Sequence, residues 1–249
     1  MKARTQFNYL IGKSANLFML RLASLSFPLI DRILPRGRYW LHDIRRTIKG
    51  DDATVIFDVG ANTGQTAHDI AIFFPQAKVY CFEPVGVTFE RLRLGYGNRP
   101  NFTLVQKALG SHPGCQETVL HDNSELNTLV KNPSRTGDLK GLKEMIAIEN
   151  VGRFSEVNSI GHIDILKMDV QGWEVEVLEG DKHMIADQRI RFVLAEVAFR
   201  KCDSDMQYFE DQNSFLKTRG YWLCGLYDQF RWGPAKQFVG FANALYALR

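Results

Sequence analysis

Long apolar runs are missing from this chain. No stretch of eighteen residues is apolar and free of charge, which argues against a spanning helix. Cysteine is scarce: Cys81, Cys115, Cys202 and Cys224 form no CxxC pair, which excludes a disulfide framework and a cysteine zinc site. Low-complexity composition is also absent, since 45% of the 249 residues are hydrophobic and 24% charged, as in ordinary globular proteins. That length allows one large domain or two small ones.

Acidic residues are rare at one end only. Residues 1–50 hold ten Lys and Arg against two acids, Asp31 and Asp43, whereas the remainder holds 21 basic and 26 acidic residues. The basic character therefore belongs to an N-terminal extension, and a nucleic-acid-binding face on the rest is not indicated. Lys13 and Arg21 interrupt the apolar residues Leu17 to Leu25, and no small-residue cleavage site follows, so a signal peptide does not fit. A helix with one apolar face fits better. It reads as an arm packed on the main domain or on a second subunit, as in a homodimer. The alternative is peripheral contact with an anionic membrane. The expected location is cytoplasmic.

Beyond the extension, short β-branched runs alternate with helical patterns. Strands are expected at Val55–Asp58, Lys78–Phe82, Phe102–Val105, Cys115–Leu120, Ile163–Met168, Arg191–Val197, Tyr221–Leu226 and Asn243–Leu248. Helices are expected at Thr63–Phe74, Val87–Leu94, from Trp173 to Leu178, and at Met206–Arg219. Strands separated by helices indicate βαβ units and a largely parallel sheet. Leu126 to Gly161 shows no sustained period and reads as a surface insertion near the mouth of the site. The division is a basic helical extension, 1–52, and one α/β domain, 53–249.

The first strand runs into Asp58-Val59-Gly60-Ala61-Asn62-Thr63-Gly64. Gly60 permits a tight turn, and the helix after it offers free backbone amides. Glu83, nineteen residues after Gly64, ends the second strand, where a carboxylate can accept hydrogen bonds from a ribose diol. A dinucleotide site has a central glycine that admits pyrophosphate. Here that glycine is absent, and Asp58 would repel phosphate while suiting a cation. S-adenosylmethionine, with its ammonium, sulfonium and ribose, fits this set; a dinucleotide and a purely structural glycine turn are the alternatives.

FDVGANTGQTA, the FEP after the second strand, and IDILKMDVQGWEVEVLEG together resemble the FkbM-type methyltransferases, class I S-adenosylmethionine-dependent enzymes that are typically O-methyltransferases. Ala108-Leu109-Gly110 and the SELNTL stretch from Ser124 fit less specifically. The resemblance covers roughly Val55 to Leu248. It implies a Rossmann-like α/β fold: a seven-stranded, mostly parallel sheet with an antiparallel last strand, Asn243–Leu248, and helices on both faces. It also implies that the methionine moiety lies near Asp58, Gly60 and Asn62, with Gly64, Gln65 and Thr66 beside them. Ribose would lie at Glu83 and Pro84, and adenine near Lys107 and Ala108.

Asp169 closes the strand Ile163–Met168, which puts it beside the cofactor crevice, and Glu196 closes the next strand. Asp169 is the first candidate for orienting the acceptor or taking its proton, Glu196 the second, and His121 the third. Glu174, in the first turn of a helix, favours the positive dipole end. Asp169 and Glu196 could hold a divalent cation, but no third ligand is identifiable and no metal is assigned. Trp173, Trp222, Tyr221 and Phe192 read as core or sheet-covering residues, and Tyr227–Trp232 as a loop that contacts an acceptor sugar or, equally, as a plain surface loop or a dimer contact. The expected function is O-methylation of a hydroxyl on a sugar, glycan or small natural product. The alternatives are a nicotinamide-dependent oxidoreductase and a non-catalytic, membrane-associated scaffold that retains the cofactor fold.

Overall fold

The computed structural model describes residues 35–48, 53–119, 128–129, 143–180, 182–200 and 206–249. Its centre is a pair of buried, mostly apolar strands that carry three charged residues, Asp58, Asp164 and Lys167. β1 (Val55–Val59) and β8 (Ile163–Met168) pair in parallel, and all six residues of β8 are buried. Continuous burial is what a parallel strand covered on both faces requires. On one side of this pair lie β2 (Lys78–Phe82) and β3 (Phe102–Val105). On the other lie β9 (Ile190–Ala198), then β11 (Phe238–Leu248), then β10 (Tyr221–Trp232) at the edge. β11 runs antiparallel to both its neighbours. The seven-stranded sheet is thus mostly parallel with an antiparallel last strand, as the sequence implied.

Alternate residues along each strand face opposite sides and supply two cores. Ile56, Ile165 and Phe192 face a layer made by α1 (Trp40–Ile48), α2 (Gln65–Phe73) and α3 (Gly86–Tyr96). Phe57, Leu166 and Val193 face α4 (Val151–Val157), α5 (Glu174–Glu179), α6 (Lys182–Ala186) and α7 (Phe209–Lys217). α1 shares the first core through Leu41, Ile44 and Ile48, with Tyr39 and Trp40 packed against it. Its Asp43 Oδ2 accepts from the Gly37 amide at 2.6 Å and from the Tyr227 hydroxyl at 2.8 Å. Burial, then that hydrogen bond, holds the Tyr227 phenol well above its ordinary pKa.

The stretch expected to be irregular contains order. β7 (Lys143–Glu149) and α4 lie within it, and β7 joins β4 (Ala108–Leu109), β5 (Gly114–Val119) and β6 (Thr128–Leu129) in a second sheet, in the order β4-β7-β5-β6. Lys143, Glu144 and Glu149 interrupt the apolar pattern of β7, which hides it from periodicity. Two further boundaries shift. Tyr227–Trp232, expected to be a loop, continues strand β10 and pairs with β11, which begins at Phe238, and the helix read as Met206–Arg219 begins at Phe209. Residues 1–34, which hold most of the basic extension, lie outside the described residues, and among those described no helix is long and apolar enough to cross a membrane.

Candidate active site

The carboxyl ends of β1, β2, β8 and β9 meet where the chain order reverses, the usual place for a ligand crevice in such sheets. A cleft of about 490 Å³ opens there, within the range of small-molecule sites.

Its floor is the glycine turn. Gly60 has a φ of +73°, and a Cβ on it would collide with the Asp169 carbonyl oxygen. Glycine is therefore required because the β1 and β8 turns touch, in addition to any approach of a ligand. Gly64, at φ +96°, lies back from the cleft, where a Cβ would meet the Tyr96 ring. Gln65 and Thr66, in the first turn of α2, line the cleft beside Asn62.

Glu83 fastens this turn to the next. Its two oxygens accept from the Asn62 amide at 3.0 Å and the Val85 amide at 2.9 Å. It is only 6% exposed yet lines the cleft beside Pro84. Burial pushes its pKa up to about 7, against the pull of the two amides. A carboxylate so under-solvated has lone pairs left for two further donors, which is what a ribose diol presents.

Asp58 stands differently from the expectation. It is fully buried and does not line the cleft. Its register partner across the sheet is Lys167, whose Nζ lies 2.9 Å from Asp58 Oδ1. The same ammonium donates to the Gly60 carbonyl at 3.1 Å and sits 3.9 Å from Asp169 Oδ2. Burial alone would lower the Lys167 pKa; the carboxylates of Asp58 and Asp169 outweigh it and raise it. Asp58 thus neutralises a lysine under the turn and stands behind the residues that line the cleft. A lysine in the apolar run of β8 was the available signal.

Asp169 and Glu196, from adjacent strands, are brought to one wall. The Gln171 side-chain amide donates to Asp169 Oδ1 at 3.2 Å and reaches Glu196 Oε2 at 3.5 Å. Burial, then the charges of Asp169 and Glu174, raises the Glu196 pKa to about 8. Behind them, fully buried Glu174 accepts from the amides of Val170 at 3.3 Å and Gly172 at 3.4 Å, bracing the turn that carries Asp169.

The model of the methyltransferase FkbM domain matches residues 58–223. The chain belongs to this family. The chain is also 26% identical over 172 residues to the 2-O-methyltransferase NoeI of Sinorhizobium fredii, covering 64% of this chain and 66% of that protein. It is 26% identical over 150 residues to the hexuronic acid methyltransferase AglP of Haloferax volcanii, covering 60% and 58%. The chain thus spans less than two thirds of the length of these curated relatives. Among solved structures it is similar to a Methanococcus jannaschii fibrillarin pre-rRNA processing protein, at 13% identity and a TM-score of 0.47, covering 79% of this chain and 66% of that one.

The donor set of this FkbM-domain crevice fits S-adenosylmethionine. Glu83, Asp169 and Glu196 line it against a single ammonium, Lys167. These carboxyl groups can accept hydrogen bonds from a ribose and an ammonium, and among the described residues the crevice offers a pyrophosphate no cation except Lys167, which Asp58 already holds. Among the described residues no group of three His, Cys, Asp or Glu side chains is placed to hold a metal ion.

Ala108 lines the cleft, but Lys107 turns away to Glu149 Oε2 at 3.3 Å, because β7 brings that carboxylate alongside. His121 lies outside the described residues. Phe192 and Tyr221 are buried as expected, whereas Trp173 lines the cleft and Trp222 is half exposed on the edge strand. Thr118 and Ile146 of the second sheet, together with Met206 and Phe241, complete the walls. The first two belong to strands whose pairing only the fold reveals, and Phe241 to a strand expected to start two residues later.

Proposed function

We propose that this FkbM-domain protein transfers the methyl group of S-adenosylmethionine to a hydroxyl of a sugar or glycan, with a small natural product as the wider acceptor class. The observation that carries the reading is the Asp169–Gln171–Glu196 wall: two carboxyl groups joined by one amide beside a crevice suited to that cofactor. The named activities of NoeI and AglP support the sugar.

When bound, the cofactor supplies an electrophilic methyl on sulfonium. The residues of this chain have the rest to do. Glu83 holds the ribose hydroxyls, and the turn from Gly60 to Thr66, with Pro84 and Ala108 nearby, sets the remainder of the ligand in place. Asp169, half exposed, accepts a hydrogen bond from the acceptor hydroxyl and orients its oxygen in line with the methyl carbon. Positioning of this kind supplies much of the rate of a displacement. Glu196 takes the hydroxyl proton. A base with a pKa near the working pH adds roughly 10²–10⁴-fold.

The test is transfer of labelled methyl to a sugar panel by the wild type and by Asp169→Asn and Glu196→Gln. Both variants are expected to bind S-adenosylhomocysteine like the wild type and to lose turnover by roughly 10²-fold or more. Turnover near wild type in both would remove the wall from the chemistry.

A further inference from the structure

The tip of the β10–β11 hairpin stands above the cleft on the Glu196 side. Asn243 is the register partner of Glu196 and Phe241 that of Ala198, so residues before 241 rise past the end of β9. Phe241 lines the cleft. Phe230 stacks on it with ring centroids 4.7 Å apart and planes at 9°. Trp232 and Phe238 follow at 5.1 Å from each other, and the Arg200 guanidinium lies 4.5 Å over the Trp232 ring. Phe230, Trp232 and Phe238 are 50%, 38% and 46% exposed.

These rings form a ledge that the backbone accommodates. A Cβ on Gly240 would press on the Phe230 ring at 3.0 Å and the Trp232 ring at 3.2 Å. The Arg231 guanidinium donates to the carbonyls of Lys236 and Gln237 at 3.4 and 3.3 Å, closing the turn beneath the rings. The Phe199 amide donates to the Gly240 carbonyl at 2.9 Å and ties the base of the tip to β9. Three partly exposed aromatic rings side by side form an apolar surface of the kind that takes a ligand. Its continuity with the cleft through Phe241 says what binds: the part of the acceptor next to the reacting group. Aromatic faces pack against the C–H face of a pyranose while hydroxyls stay at the rim.

We propose that this ledge is a second-sugar subsite: the acceptor has at least two rings, one presenting its hydroxyl to Asp169 and Glu196 and its neighbour stacked on Phe230 and Trp232. The inference rests on the sugar reading above. The Arg200 guanidinium, already seated on the Trp232 ring, is the cation at this ledge that a carboxylate on the second sugar would meet.

The test compares methyl transfer to the methyl glycosides of glucose, mannose, N-acetylglucosamine and glucuronic acid with transfer to the corresponding 1,4-linked disaccharides. The disaccharide is expected to be preferred. Trp232→Ala or Phe230→Ala should raise the disaccharide KM by about tenfold, equivalent to about 1.4 kcal/mol, with the monosaccharide KM unchanged. Trp232→Phe, which keeps an aromatic face, should restore most of the difference. Equal handling of one and two rings, or an equal effect of the variants on both, overturns the subsite while leaving sugar methylation standing. A change of oligomeric state in the alanine variants overturns it in favour of a self-association surface. Methylation of no sugar, by protein that binds S-adenosylhomocysteine, overturns the sugar reading and the subsite with it.

Discussion

Lys167 is 8% exposed at its side chain and Asp58 not exposed at all, so neither charge can be removed alone at small cost. Lys167→Met should destabilise the fold by about 3–5 kcal/mol, because it leaves a buried carboxylate unpaired. Urea unfolding measures this, and adding Asp58→Asn should return part of the loss. Glu174 has the opposite character. Burial disfavours its charge and pushes its folded pKa up from the ordinary 4.5 to about 7. The stability it confers is therefore full below about pH 4.5 and is lost as pH rises through about 7. Glu174→Gln should make the protein more stable than wild type at about pH 8, by of order 2–3 kcal/mol, with no such gain at about pH 5. Glu196 extends the same logic to rate. With a pKa of about 8 it is mostly protonated at neutral pH, so kcat/KM should climb from about pH 6 and level off above about pH 9. A flat profile in the wild type would deny Glu196 the proton. The sequence showed Asp169, Glu196 and Glu83 by their places at strand ends. It did not show that Asp58 points below the turn, because side-chain direction there depends on the neighbouring strand.

At the scale of elements, strands covered on both faces were the most legible. β1, β2, β3 and β8 were expected to within a residue, since short runs dominated by β-branched and aromatic residues stand between turn signals even where Asp58, Lys78, Asp164 and Lys167 interrupt them. β4 and β6, two residues each, are too short to carry a pattern, and β7 alternates partly exposed positions with charge. The second sheet they form builds one cleft wall through Thr118 and Ile146 and reaches α3 through Glu144 Oε1, which accepts from the Gly86 amide at 3.0 Å. α1 is packed into the core and tied by the Tyr227 hydroxyl as well. Tyr227→Phe should lower stability by about 1–2 kcal/mol, read as a fall in thermal midpoint, because buried Asp43 Oδ2 loses the hydroxyl it accepts from.

For the whole molecule, the sheet order places the acidic crevice at the carboxyl ends of β1, β2, β8 and β9, with α1 sharing the core beneath it. The glycine turn, Glu83, Asp169 and Glu196 come from the ends of four different strands, so the cleft exists only when the parallel sheet is assembled. Binding should therefore be visible as stabilisation of the entire domain. The most direct test is calorimetric titration with S-adenosylhomocysteine, with NAD as the control. Saturable binding of S-adenosylhomocysteine alone, weakened at least tenfold by Glu83→Ala, or about 1.4 kcal/mol, is the expected result. Binding of NAD in its place, or binding indifferent to Glu83, would contradict the assignment of this crevice.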